Sequence, residues 1–245
     1  MKAMILAAGL GTRLRPLTDT VPKALVPVGG KPLLYHLAMK LKSAGFDELV
    51  INIHHFPDTI IEYVREEGDF GMKVSFSDER ELLRETGGGI RFARPFLEGG
   101  PFFAHNVDIL SNLDIRWFMS QARPDALSNI LVSERETKRY LLFDDDMRMV
   151  GWTNVATGEV KSPYPGLNPD EYHRFAFSGV HLISDGIFPI FDEDGWGDKF
   201  SIIDFYVEEC ARHPIYGILP EDLRMLDVGK VESLHEAEAF ITNLK

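Results

Sequence analysis

The 245-residue chain carries 38 acidic against 26 basic residues, a formal net charge of −12. Phosphate backbones and anionic membrane surfaces select basic faces, so neither a nucleic acid nor a membrane is the expected partner, although a local basic pocket fits inside an acidic protein. Hydrophobic residues make up 44% of the chain, an ordinary share for a globular core, and the single cysteine, Cys210, excludes an internal disulfide.

Lys2–Ala8 is a short apolar run ended by Gly9-Leu10-Gly11, which reads as a buried strand feeding a glycine loop. Its Lys2-plus-apolar start resembles a signal peptide only superficially. The run breaks at Gly11-Thr12-Arg13 with no small-residue cleavage pattern, and no stretch approaches the ~20 apolar residues of a membrane span, so a cytoplasmic location is expected. Pro32–Ala44 places Leu33, Leu34, Leu37 and Leu41 at helical spacing, with Gly45 as the stop. Glu48–Ile53 reads as a strand, Asp58–Glu66 as a helix and Lys73–Phe76 as a third strand. Glu85–Ile90 opens a short helix after a charged loop. A fourth strand runs through Pro101–Ala104 and stops at His105-Asn106-Val107-Asp108. Asp114–Ala122 is a helix and Ser128–Val132 a strand. This β-α alternation predicts an α/β fold with a mostly parallel sheet covered by helices on both faces.

The second half differs in texture. Tyr140–Phe143 and Met147–Trp152 flank Asp144-Asp145-Asp146 and read as a hairpin, with the aspartates in a solvated turn that lacks the ligand spacing of a calcium loop. Lys161–Pro169, with three prolines, is an exposed loop. Arg174–Leu182 reads as a strand, Ser201–Glu209 as a helix holding Cys210 at its end as a core thiol, Ile215–Leu219 as a strand and Val231–Asn243 as a closing helix. No linker-like stretch interrupts the chain, so one domain is expected over 1–245.

The segment Ala7-Ala8-Gly9-Leu10-Gly11-Thr12-Arg13, followed by Pro22-Lys23, carries the most chemical information. Glycines directly after a strand let backbone N–H groups approach an anion. Arg13 adds a planar fork for phosphate oxygens and Lys23 a point charge. Small side chains at Ala7 and Ala8 leave room for a flat base. The segment lacks the third glycine of a dinucleotide fingerprint and the Gly-Lys-Ser/Thr of a Walker loop. The competing reading is a tight turn with surface charges.

Gly-x-Gly-Thr-Arg-x-x-Pro-x-Thr, then Pro22-Lys23, then Val26-Pro27-Val28 with Lys31-Pro32, resembles the signature of the sugar-phosphate nucleotidyltransferases, the nucleotide-sugar pyrophosphorylases. The similarity covers nearly the whole chain. It implies a Rossmann-like nucleotidyltransferase fold with a twisted mixed sheet, a nucleotide-binding half over about 1–130 and sugar-binding elaborations over about 131–245. It also implies a nucleoside triphosphate and a sugar 1-phosphate as substrates, with Mg²⁺ as cofactor. Under this resemblance Ala7, Ala8, Gly9, Gly11, Thr12 and Arg13 hold the nucleotide, Arg13 steadies the departing pyrophosphate and Lys23 contacts the reacting phosphates. Asp108 and Asp227 correspond to the family's metal pair, with Asp108 also counted as catalytic; from the residues alone, both could equally cap helices. Gly87 and Gly88, in Glu85-Thr86-Gly87-Gly88-Gly89, resemble the base-reading loop, where the alternative is a flexible hinge. Asn106, Glu85 and Gly179 fall on the sugar side; the alternative for Gly179 is a bulge in a core strand.

The Glu-Thr-Gly-Gly-Gly form is most similar to the branch that makes UDP-N-acetylmuramic acid in cell-wall recycling. Three departures lie on the sugar side: Val107 and Leu141 stand where the family usually has glycine, and Val160-Lys161-Ser162-Pro163 only echoes a Glu-Lys-Pro motif. A lactyl carboxylate would favour a basic neighbour, and Lys199, Arg174 and His181 are the candidates. His54 and His55 lack a matching ligand cluster and read as loop or core histidines. The rival functions are a mannose or heptose 1-phosphate guanylyltransferase and a non-catalytic nucleotide-sugar sensor.

Overall fold

A computed structural model describes residues 1–193 and 195–243. Strand β1 (Lys2–Leu6) leads through three 3-10 turns to the short ribbon β2 (Pro27–Val28) and β3 (Lys31–Pro32). Then follow α1 (Leu33–Ser43), β4 (Glu48–Ile53), α2 (Pro57–Glu66), β5 (Lys73–Asp78), α3 (Glu85–Phe92), α4 (Arg94–Leu97), β6 (Phe102–Asn106), β7 (Ile109–Ser111), α5 (Ile115–Ser120) and β8 (Ser128–Ser133). The second half continues with β9 (Arg139–Phe143), β10 (Met149–Asn154), β11 (Glu159–Lys161), β12 (His173–Ile183), α6 (Ile187–Glu193), α7 (Ile202–Glu209), β13 (Ile215–Ile218), β14 (Met225–Asp227) and α8 (Val231–Thr242).

Ten strands form one mixed sheet in the order β11-β10-β9-β12-β6-β1-β4-β5, with β8 paired to β12 and β13 to β8. The β6-β1-β4-β5 part is parallel, and β12 runs antiparallel to β6, β8 and β9. Side chains of a strand alternate between faces, and β1 divides its own accordingly. Ala3 and Ile5 join the cluster that buries Leu33, Leu34, Leu37 and Leu41 of α1. Met4 and Leu6 join the opposite cluster with Ile90, Phe188, Phe205 and Tyr206. Full burial of each such side chain contributes about 1.5–3 kcal/mol, so both faces must be covered, as the β-α alternation predicts. No helix among the described residues is long and apolar enough to cross a membrane.

Several expectations need adjustment. The second hairpin strand begins at Met149 rather than Met147, because Met147 takes a left-handed φ of 61° in the turn. Within that turn Asp144 accepts from the backbone N–H groups of Asp146 (3.0 Å) and Arg148 (2.9 Å), a turn cap rather than an ion site. Cys210 is buried, and burial pushes its thiol up to about 12, which leaves it inert as a nucleophile. His181 cannot serve as a basic neighbour for a ligand. It is fully buried, its Nδ1 lies 3.0 Å from the Tyr206 hydroxyl, and burial lowers it to about 3. The short ribbon of β7 and β14 has no counterpart among the elements expected from the sequence.

Candidate active site

In an open α/β sheet, ligands gather at the carboxyl ends of the parallel strands. Here β1 ends at Leu6, whose register partners are Asn52 at the end of β4 and Asn106 at the end of β6. Asn52 is a polar residue in an otherwise apolar strand and is 3% exposed. Its Oδ1 accepts from the N–H of Ala7 (2.6 Å) and of Ala8 (3.3 Å), while its Nδ2 donates to Glu79 Oε1 at 2.8 Å. Glu79 Oε2 accepts in turn from the N–H of Arg84 at 3.1 Å. This buried chain ties the start of the glycine loop to the segment that opens α3. Burial raises the Glu79 carboxyl above its ordinary value, against the hydrogen bonds from Asn52 and Arg84 that lower it. The sequence reading missed both residues. The available signal was a lone asparagine inside Glu-Leu-Val-Ile-Asn-Ile.

The glycine loop turns on Gly11, which has φ of 63°. A Cβ there would lie 2.8 Å from Thr18 Cγ2, and the Thr18 hydroxyl donates to the Gly11 carbonyl at 2.8 Å. The loop thereby folds back on its 3-10 turns and delivers Lys23, 9% exposed, into the cleft. Gly9 lies on the cleft wall, with open space where a Cβ would stand. Thr12 and Arg13 are exposed and lie outside the lining of this cleft. Arg13 reaches instead towards Gly229, where a built Cβ would be 2.9 Å from its Nη2.

Asp108 and Asp227 are far apart in sequence and adjacent in the fold. Strands β7 and β14 pair antiparallel with Asp227 opposite Ile109, and the Val228 N–H donates to the Asp108 carbonyl at 2.9 Å. Neither residue caps a helix. Asp114 caps α5, accepting from the N–H groups of Arg116 and Trp117, and Lys230 precedes α8. Lys23 Nζ donates to Asp108 Oδ2. Asp227 Oδ1 is buried and has no hydrogen-bond partner. Burial and the neighbouring Asp108 raise the Asp227 carboxyl, and Lys23, Arg13 and Arg135 oppose them. Two carboxylates meeting two cations at a strand end can grip a phosphate chain and a divalent ion together. No group of three or more metal-ligating side chains occurs among the described residues.

The cleft has a volume of about 400 Å³ and is lined by the β1 end and glycine loop, Lys23, Asn52, Leu83, Glu85, Thr86, Asn106, Val107, Asp108 and Ser201. Glu85 takes φ of 61°, uncommon for a residue with a side chain. Gly87 and Gly88 do not line it, contrary to the expectation of exposed amides. Their N–H groups donate to the Phe200 carbonyl at 2.9 and 3.2 Å. A Cβ would lie 2.4 Å from the Phe200 ring at Gly87 and 2.4 Å from the Asp198 carbonyl at Gly88. These glycines let α3 pack against the 198–202 segment, with Glu85 and Thr86 on the cleft wall. Gly179, with φ of 72°, allows β12 to pass under Asn106, whose Nδ2 would be 2.9 Å from its Cβ. Val107 is 4% exposed and packs in the core cluster, while it also forms part of the cleft wall next to Asp108. Leu141 is likewise buried.

A second cavity of about 440 Å³ adjoins the first through Ser201, which lines both. It lies over the hairpin, between Arg135, Arg139, Trp152, Lys161, Phe177 and Asp204. Of the other expected basic neighbours, Lys199 lies 3.9 Å from Glu85 Oε1 at the cleft edge, and Arg174 pairs with Asp170.

Residues 2–143 match the family model described as Nucleotidyl transferase, and the chain belongs to that family. It is an enzyme of the class that transfers nucleotidyl groups to sugar 1-phosphates. It is 34% identical over 244 residues, 97% of this chain and 95% of its relative, to the N-acetylmuramate alpha-1-phosphate uridylyltransferase of Caulobacter vibrioides. It is 43% identical over 115 residues, 45% of this chain and 32% of the relative, to the probable mannose-1-phosphate guanylyltransferase 1 of Oryza sativa subsp. japonica. The crystal structure of HddC from Yersinia pseudotuberculosis complexed with GMP-PN superposes with a TM-score of 0.76 at 25% identity, covering 98% of this chain and 99% of that one.

Proposed function

We propose that the chain transfers the uridylyl group of UTP to N-acetylmuramic acid 1-phosphate, releasing pyrophosphate, in the recovery of cell-wall sugar in the cytoplasm. The observation that carries the catalytic part is Asp108 on the cleft wall with Asp227 beside it, Lys23 on the first carboxylate and an unpartnered buried oxygen on the second. The full-length similarity to the Caulobacter vibrioides relative favours this substrate pair.

An oxygen of the sugar phosphate attacks the α-phosphorus of the triphosphate as the bond to pyrophosphate breaks. The nucleophile is already an anion, so no side-chain base is required, and catalysis comes from positioning and charge neutralisation. The loop at Gly9 and Gly11 receives the triphosphate beside Lys23, which is poised to leave Asp108 for the phosphates. Arg13, beside Asp227 and Gly229, neutralises charge building on the leaving group. The oxygen donors of Asp108 and Asp227 suit Mg²⁺, which takes one or two carboxylates with phosphate oxygens and water. When bound, the ion supplies charge neutralisation to the reacting phosphates. Asn106 and Glu85 face the sugar from the two sides of the cleft.

A guanylyltransferase reading has support in the plant relative, over 45% of the chain, and in the likeness to HddC complexed with GMP-PN. Pyrophosphate release from UTP and GTP, each with N-acetylmuramic acid, N-acetylglucosamine, glucose, mannose and heptose 1-phosphates, separates the two. The highest kcat/KM is expected for UTP with N-acetylmuramic acid 1-phosphate. A higher value for GTP with mannose or heptose 1-phosphate overturns the assignment and leaves the reaction class intact.

A further inference from the structure

Acidic as the chain is, the cavity over the hairpin has the opposite sign. Arg135, Arg139 and Lys161 face two carboxylates there, Glu159 and Asp204. Both carboxylates are already served by Lys161, whose Nζ lies 3.2 Å from Asp204 and 3.9 Å from Glu159. Neither arginine has a carboxylate within ion-pair distance among the described residues. Arg135 spends one N–H on the Phe177 carbonyl at 3.3 Å, and the Arg139 guanidinium makes no hydrogen bond among the described residues. A guanidinium carries five N–H donors in a planar fork matched to a carboxylate. In a protein of net charge −12, these are two arginines on one cavity wall without an ion pair among the described residues, although Arg135 also acts at longer range on Asp227.

The backbone explains why both sit there. Arg135 follows the end of β8, and Arg139 opens β9, where it stands opposite Asn154 of β10. The intervening loop is short, so both guanidinium groups line the same opening. Ser201, the N-cap of α7, forms part of both this cavity and the nucleotide cleft. The two openings therefore share a wall residue, Ser201, and the arginine-lined one lies next to the cleft that holds Asn106 and Glu85.

We propose that Arg135 and Arg139 form a carboxylate-reading subsite that selects sugar 1-phosphates bearing an acidic substituent over their neutral counterparts. The inference rests on the nucleotidyl-transfer reading above and deepens it. It assigns the acid recognition to the hairpin side rather than to Lys199, Arg174 or His181. The arginines act on substrate selection, while the reacting phosphates stay with Lys23, Arg13 and the aspartates.

The test compares N-acetylmuramic acid 1-phosphate with N-acetylglucosamine 1-phosphate, which lacks the lactyl carboxylate, at saturating UTP. Wild type, Arg135→Gln, Arg139→Gln and Arg139→Lys are measured, with thermal melts to confirm folding. The ratio of kcat/KM for the acidic over the neutral sugar should fall about tenfold in each Gln variant, as expected for loss of a charge-assisted contact. The change should appear in KM for the acidic sugar, with Arg139→Lys recovering part of it. An unchanged ratio overturns the subsite, whether both activities hold or both fall together, because equal losses mean that the arginines read a feature common to the two sugars. Absence of pyrophosphate release from wild type with every nucleotide and sugar pair is a different result: it defeats the nucleotidyl-transfer reading itself.

Discussion

Asn52→Leu tests whether one buried amide holds the two walls of the nucleotide cleft in place. Leucine is close to isosteric, so the change removes hydrogen bonds with little change in volume. It leaves the Ala7 N–H, now bonded at 2.6 Å, and Glu79 Oε1, now bonded at 2.8 Å, without partners. The 3.3 Å contact to Ala8 is weaker. An orphaned buried polar group costs about 1–3 kcal/mol, so about 3 kcal/mol is expected at neutral pH. For a chain of this length that corresponds to a fall of roughly 6–12 °C in Tm. Glu79 gives the loss a pH signature. Its folded carboxyl is raised above 4.5, so the folded state holds the proton more tightly than the unfolded one. The associated stability is complete below 4.5 and is lost as pH rises through the folded value. Removing Asn52 deletes a hydrogen bond that favours the charged form and moves the folded value further up. Urea unfolding of the variant and wild type should therefore show a smaller penalty at mildly acidic pH than at neutral pH, and KM for UTP should rise. An equal penalty at both pH values, or an unchanged midpoint at neutral pH, would refute the Asn52–Glu79 link.

Two further predictions follow from the site. Asp108→Asn and Asp227→Asn should each lower turnover about 10²-fold or more, while Asp227→Asn melts no lower than wild type because it removes a buried carboxylate repelled by Asp108; near-normal turnover removes that residue from the site. Gly88→Ala should cost about 1–3 kcal/mol in urea unfolding by overpacking, since the new methyl group meets the Asp198 backbone. Gly9→Ala, with open space at that position, should keep the wild-type Tm and raise KM for the triphosphate; the reverse pattern would exchange the roles of the two loops.

The local elements were legible in the sequence because each obeys a short-range rule. Apolar runs marked β1, β4 and β8, helical spacing marked α1, and the Gly-x-Gly-Thr-Arg pattern with Pro22-Lys23 pointed to the family. The triple glycine was visible, but its role was not. Whether such amides face a ligand or a neighbouring chain depends on what packs against them, and here that is Phe200 and Asp198, more than a hundred residues downstream. Asn52 and Glu79 were passed over because a buried polar pair is recognisable only once each partner is seen to satisfy the other. The same holds for Arg135 and Arg139, whose significance lies in the carboxylates that do not reach them.

The sequence by itself determined the β-α order and the family, both of which are encoded by neighbours along the chain. How Asp108 meets Asp227, which the family resemblance implied but spacing did not show, was decided by the tertiary structure. Strands β7 and β14 are three residues each, too short for periodicity to reveal, and their pairing spans more than a hundred residues. From the residues alone each aspartate could equally cap a helix, and only the family resemblance pointed to a pair. Once that ribbon closes, the two carboxylates share one site with Lys23 and Arg13, and the charge balance among those four side chains exists only in three dimensions.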